Sequence, residues 1–106
     1  MTENQILKRA VKKAEQSICK YRVSAIGFDK GGRMIGTSFN RPRFSKEGGS
    51  IHAEMSLMAQ YGVNLKTIVI CRIADNGTLK PIDPCEVCAA KAKELGIKIV
   101  SVTNEV

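Results

Sequence analysis

The sequence predicts a layered α/β domain, with helices covering both faces of a mixed sheet of about four strands. Three observations carry this prediction. Periodicity and turn signals run in the order helix, strand, strand, helix, strand, helix, strand. The stretch from Lys66 to Ile73 is nearly continuous in apolar and β-branched residues, as expected of a strand covered on both faces. Helix-start signals recur near Ser50 and again near Asp83, placing one helix before that strand and one after it.

Each element has its own justification. Thr2-Glu3-Asn4-Gln5 is a capping-box pattern, and Ile6, Leu7, Ala10, Val11, Ala14 and Ile18 follow at helical spacing, predicting a helix from Glu3 to about Cys19. Its other face carries Lys8, Arg9, Lys12 and Lys13, so like charges stand at i,i+4 and cost some helix stability. That face is either a solvated basic surface or a docking surface for an acidic partner. Two strands, Tyr21 to Phe28 and Arg33 to Phe39, form a hairpin through Asp29-Lys30-Gly31-Gly32. From Asn40 to Ser50, Pro42 and the Gly48-Gly49 pair interrupt regular structure and predict a surface loop. Ser50 then caps a helix bearing Met55, Leu57, Met58 and Ala59 that ends at Gly62. After the Lys66–Ile73 strand, Ala74-Asp75-Asn76-Gly77 turns the chain. Asp83 caps the third helix, with Pro84 in its first position and Glu86 closing the box. Gly96 ends that helix, and Ile97 to Val102 is the final strand.

Length and composition fit one domain over residues 1–106, small enough that self-association would help bury apolar surface. No apolar run matches a signal peptide or a membrane span, so a cytoplasmic protein without a membrane partner is expected. Reduced thiols are expected in that compartment, leaving Cys19 and Cys71 as ordinary buried residues. A formal charge of +7 favours phosphate-bearing partners without choosing between nucleotides and nucleic acid.

The chemistry concentrates in His52-Ala53-Glu54 and Pro84-Cys85-Glu86-Val87-Cys88. Two thiolates and one imidazole make a three-ligand zinc set whose fourth tetrahedral position stays open to water, as catalytic zinc requires. Cys19 and Cys71 lie at no short ligand spacing from these residues. Cys85 and Cys88, at i,i+3, share one face of a helix's first turn, where unpaired amides and the positive dipole end stabilise thiolates. His52 and Glu54 are two residues apart, about 200° on a regular helix, so they reach one pocket only at the helix mouth. A Cys-x-x-Cys alone is also compatible with a redox or structural role, and a lone histidine with simple packing. The joint pattern is what points to catalysis.

His-x-Glu followed by Pro-Cys-x-x-Cys is similar to the signature of zinc-dependent nucleobase deaminases. From about Tyr21 onward the chain resembles the cytidine/deoxycytidylate deaminase superfamily. The resemblance implies an α/β/α cytidine deaminase-like fold and Zn2+ as cofactor, with His52, Cys85 and Cys88 as its ligands and Glu54 as proton shuttle. It also implies a substrate contact from Asn40 at the end of the second strand; Phe39 and Ala53 beside these residues, and Arg43 and Phe44 in the loop that runs into His52, are further candidate substrate contacts. Asn40 as a turn residue and Phe44 as part of an ordinary loop are the structural alternatives. Arg41, Arg43 and Lys46 are positioned to read a substrate phosphate. Asn40-Arg41-Pro42 is similar to the equivalent loop of tRNA adenosine deaminases, whereas Ala74-Asp75 and the loop through Pro84-Cys85 look more like free cytidine deaminases. Those enzymes usually carry cysteine where His52 stands, glutamate at Pro42 and glycine at Glu86. Members usually continue into a fifth strand, which marks this chain as a short member.

The activity expected is hydrolytic deamination of a free cytosine nucleoside or nucleotide, such as cytidine, deoxycytidine or a monophosphate. With three phenylalanines, two tyrosines and no tryptophan, the chain lacks an interleaved aromatic and basic stripe for stacking single strands. The alternatives are deamination of cytosine or adenine within RNA or single-stranded DNA, and a catalytically inactive zinc-stabilised binding module. Retention of Glu54 speaks against the last. A homo-oligomer is expected.

Overall fold

The computed structural model describes residues 3–19, 22–42 and 50–102. Helix α1 spans Glu3–Ala14, and strands β1 (Arg22–Phe28) and β2 (Met34–Phe39) follow as an antiparallel hairpin. The Asp29 carboxylate holds its turn, accepting from the backbone N–H of Gly31 at 3.0 Å and of Arg33 at 2.9 Å. Two short strands, β3 (Arg41–Pro42) and β4 (Ser50–Ile51), pair antiparallel as a separate ribbon. Helix α2 is Ala53–Tyr61, followed by a short 3-10 turn, strand β5 (Thr67–Ile73), strand β6 (Leu79–Lys80), helix α3 (Glu86–Leu95) and strand β7 (Lys98–Ser101).

β5 organises the sheet. One of its edges pairs antiparallel with the whole of β1, from Arg22 opposite Ile73 to Phe28 opposite Thr67. Its other edge is shared: β7 runs parallel along residues 67–70, and β6 pairs antiparallel at Arg72 and Ile73. The parallel pair requires a crossover, and α3 supplies it.

Alternation along β1 and β5 sends side chains to two cores. On one face Ile26, Phe28, Cys71 and Ile73 pack with Ala10 and Ala14 of α1. On the other, Ala25, Ile68 and Ile70 pack with Ala53, Leu57 and Met58 of α2 and Cys88 and Ala92 of α3. This is why the β5 sequence reads as a continuous apolar run. Gly36 of β2 is covered by the Tyr61 ring so closely that a Cβ there would collide with it.

The α/β architecture agrees with the sequence prediction, with local differences. The sheet has five strands rather than four, because the turn after Ala74 returns the chain along β5 as β6. Helix α1 ends at Ala14, short of Cys19; Ile18 is 80 % exposed, so its place in the apolar period was accidental. Ser50 does not cap α2 but pairs with Pro42, and His52 is the cap. Likewise Cys85, not Asp83, caps α3. Thr2, the first residue of the predicted capping box, lies outside the described residues, as do residues 43–49 of the predicted loop. Among the described residues, no helix is long and apolar enough to cross a membrane.

Candidate active site

Two helix N-termini converge on one point, and each begins with a ligand residue in extended backbone. His52 caps α2 at φ −71°, ψ 143°, and Cys85 caps α3 at φ −67°, ψ 160°. Because His52 precedes the helix proper, the helical rotation between it and Glu54 does not apply, and both reach the same pocket. Cys85 Sγ accepts from the Cys88 backbone N–H at 3.3 Å, an N-cap in which sulfur takes the place of the usual side-chain oxygen.

His52 Nδ1 lies 3.2 Å from Cys85 Sγ and 3.3 Å from Cys88 Sγ. The three donor atoms all fall within 4.8 Å of one another. Tetrahedral zinc with its ordinary bond lengths would hold nitrogen and sulfur about 3.5 Å apart, so the trio fits the ion with an opening of a few tenths of an ångström. The donor chemistry also fits: thiolates and imidazole suit zinc, and Nδ1 is the nitrogen turned toward both sulfurs. Burial pushes the Cys88 thiol well above its ordinary range, reinforced by hydrogen bonding to Cys85 and by the neighbouring Glu54 charge. Cys71 belongs to the core on the opposite face of the sheet, where burial raises its thiol to about 11. It is structural, in line with the expectation for it.

Glu54 is 3 % exposed and lines a cavity of about 190 Å³ with Val23, Asn40, His52, Ala53, Ile82, Asp83 and Cys85. A carboxylate is rarely this buried without a partner or a task. Asn40 faces it from the end of β2. The Asn40 Oδ1 accepts from Val23 N–H at 2.9 Å and from Ser17 Oγ at 2.6 Å.

The structure therefore brings His52, Ala53, Glu54, Cys85, Cys88 and Asn40 together, but not Phe39. Phe39 is paired with Ser24, whose hydroxyl donates to Ala10 of α1, so its side chain lies on the α1 face of the sheet. There Lys13 Nζ stands 5.3 Å and Arg41 Cζ 5.0 Å from its ring centroid. Strand parity separates Phe39 from Asn40, since adjacent strand residues face opposite ways. Arg43, Phe44 and Lys46 lie outside the described residues. Sequence reasoning missed Ser17, Val23, Ile82 and Asp83. Asp83 carried a signal read only as a helix cap, and the other three carried none.

This donor set beside one buried carboxylate defines a class, that of zinc-dependent deaminases, which are hydrolases. Residues 1–104 match the family described as cytidine and deoxycytidylate deaminase zinc-binding region, and the chain belongs to that family. Its cofactor is Zn2+. No curated protein matches the sequence itself. Solved structures show the same fold. A cytidine deaminase from Burkholderia pseudomallei superposes with a TM-score of 0.69 at 18 % identity, covering 99 % of this chain and 89 % of that one. One from Mycobacterium leprae gives 0.66 at 23 % identity, over 95 % and 89 %. One from Mycobacterium tuberculosis gives 0.63 at 17 % identity, over 96 % and 85 %.

Proposed function

We propose that the chain deaminates a free cytosine nucleoside or nucleotide, with Glu54 as proton shuttle and His52, Cys85 and Cys88 holding zinc. The observation that carries this reading is the cavity of about 190 Å³, lined by a buried Glu54 together with Asn40 and two of the three ligand residues, His52 and Cys85. That volume is below the range of about 300–1,000 Å³ typical of drug-sized ligands and suits a single base. When bound, zinc supplies Lewis acidity that brings the pKa of water at the open position toward about 7.

The chain's own residues do the rest. Deamination forms a C–O bond to the ring carbon, breaks its exocyclic C–N bond, and converts C–NH2 and water into C=O and ammonia. Glu54 accepts a proton from the attacking water and passes it to the ring nitrogen. It then carries the second proton to the departing amine. Ala53 and Val23 wall the base and exclude water, while Asn40 orients the substrate. Asp83, exposed at the lip, marks the entrance.

A second reading, deamination of a base within RNA or single-stranded DNA, is favoured by one observation. Lys13 and Arg41 flank Phe39 on the α1 face, a cationic surface on the side of the sheet away from the cavity but at the strand end that carries Asn40. We propose further that the chain works as a homo-oligomer and in the cytoplasm, where its thiols stay reduced.

Ammonia release from cytidine, deoxycytidine, their monophosphates, adenosine and short oligonucleotides tests the proposal on zinc-loaded protein. Turnover of a free cytosine substrate is expected. Turnover confined to oligonucleotides would establish the second reading, and none with any substrate would leave a zinc-stabilised binding module.

A further inference from the structure

Helix α1 carries its cations away from the core. Lys8, Arg9 and Lys12 are exposed and Lys13 is half-buried. Lys8 with Lys12, and Arg9 with Lys13, set like charges at i,i+4, an arrangement that costs helix stability. Among the described residues the only ion pair is Lys91 with Glu94 on α3, so no carboxylate at ion-pair distance offsets that cost. Arg9, Lys12, Lys13 and Gln16 line a shallow cleft of about 160 Å³ against Thr37 of β2. Two residues further along β2, on the same face, the Phe39 ring has Lys13 Nζ at 5.3 Å and Arg41 Cζ at 5.0 Å from its centroid. Two cations drawn to one ring stand at most about 10 Å apart, one Debye length at 0.1 M salt, and repel each other until an anion joins them.

The place of this patch in the fold narrows the choice of anion. Arg41 directly follows Asn40 and pairs with Ile51, the residue before His52, so the patch starts at the rim of the cavity that Asn40 and His52 line. β2 is the outer strand of its sheet, and among the described residues no further strand of that sheet separates the α1 face from the rim. A row of phosphates lying along α1 would reach the cavity round one strand end. A lipid surface fits less well, because Ile6, Ala10, Val11 and Ala14 of α1 are spent on the core and its exposed residues are polar or charged.

We propose that Arg9, Lys12 and Lys13 of α1, with Thr37, Phe39 and Arg41, form a docking surface for single-stranded nucleic acid, taking its phosphates. The strand is single because a base held in a duplex stack does not enter a pocket. This deepens the nucleic-acid reading above and rests on the cavity taking a base, but the phosphate contacts are measured without turnover.

Fluorescence anisotropy with a short labelled oligothymidylate tests the surface on the zinc-loaded full chain, since thymine has no amino group to lose. The logarithm of Kd should rise with that of salt with a slope of about 3, roughly 0.7 for each of Arg9, Lys12, Lys13 and Arg41. Lys12→Gln/Lys13→Gln should weaken binding roughly 10–30-fold at 0.1 M salt and lower the slope by about 1.4. Lys93→Gln/Lys98→Gln, which removes the same charge from α3 and β7, should lower it by less than about 0.3. Glutamine suits a helix about as well as lysine. Zinc content and melting temperature identify a variant that fails to fold, and Arg9→Gln, with a slope lower by about 0.7, then takes its place. No binding, or an equal loss in the α3 and β7 variant, would overturn the surface. So would displacement of the oligonucleotide by polyglutamate as readily as by unlabelled oligonucleotide, which would assign the face to acidic proteins. The expected slopes without ammonia release from an oligonucleotide carrying cytosine and adenine would uphold the surface and refute only deamination within nucleic acid.

Discussion

Glu54→Gln keeps the size of the side chain and one hydrogen-bonding oxygen while removing its ability to take a proton. If Glu54 shuttles protons, kcat should fall by about 10²–10⁴-fold with zinc content unchanged, measured by ammonia release and metal analysis. Near-parent turnover would assign the proton transfers to another group. Cys88 makes a separate prediction. Its thiol is held well above its ordinary range, so at neutral pH the metal-free protein keeps that proton and zinc must expel it. Zinc titration near pH 7 should release protons, and the apparent affinity should fall about tenfold per pH unit for each proton displaced as pH drops. Calorimetry in buffers of different ionisation enthalpy reads this directly. Cys88→Ala should lose the metal, and a variant that kept full zinc occupancy would remove Cys88 from the ligand set.

At the scale of elements, the site depends on how α2 is seated. Its first residues carry Ala53 and Glu54, its middle packs Leu57 and Met58 into the core, and its last residue, Tyr61, lies over Gly36 of β2. Gly36→Ala forces the ring or the strand to move. It should destabilise the fold by about 1–3 kcal/mol, seen as a lower denaturant midpoint with an unchanged slope. A midpoint equal to the parent's would mean that Tyr61 is not seated there. The same scale explains the misplaced helix starts. Ser50 and Asp83 are ordinary cap residues, and local propensity favours them. Extended backbone at His52 and Cys85 instead aims the ligand atoms at each other, a demand of the site that propensity does not encode.

At the scale of the whole molecule, the described residues leave apolar surface uncovered: Val63 is 87 % exposed, Val87 68 % and Ile18 80 %. β2 and β7 each pair on one side only among the described residues. Open strand edges and exposed aliphatic side chains are commonly covered by a second copy. Light scattering at micromolar concentration should give a multiple of the chain mass, and the mass of a single chain would refute the oligomer. The charge of +7 belongs to this scale too. It raises the potential around every anionic substrate, so rates with monophosphates should fall with salt more steeply than rates with nucleosides.

The element order, the doubly covered β5 and the His-x-Glu and Pro-Cys-x-x-Cys motifs were legible in the amino-acid order, because periodicity, turn chemistry and ligand type are local properties. The family resemblance rested on those same few residues. Short pairings such as β6 and the β3–β4 ribbon were not legible, since two-residue strands exist through their partners and carry no period of their own. Nor was the side of the sheet on which Phe39 and Asn40 fall. One residue of register separates a pocket contact from the α1 face, and that register is set by β1, β5 and the cores they bury. Ser17 stands 23 positions from the asparagine it holds, and no spacing rule reaches that far. Only the folded chain, by closing α1 against the hairpin, brings the two within a hydrogen bond.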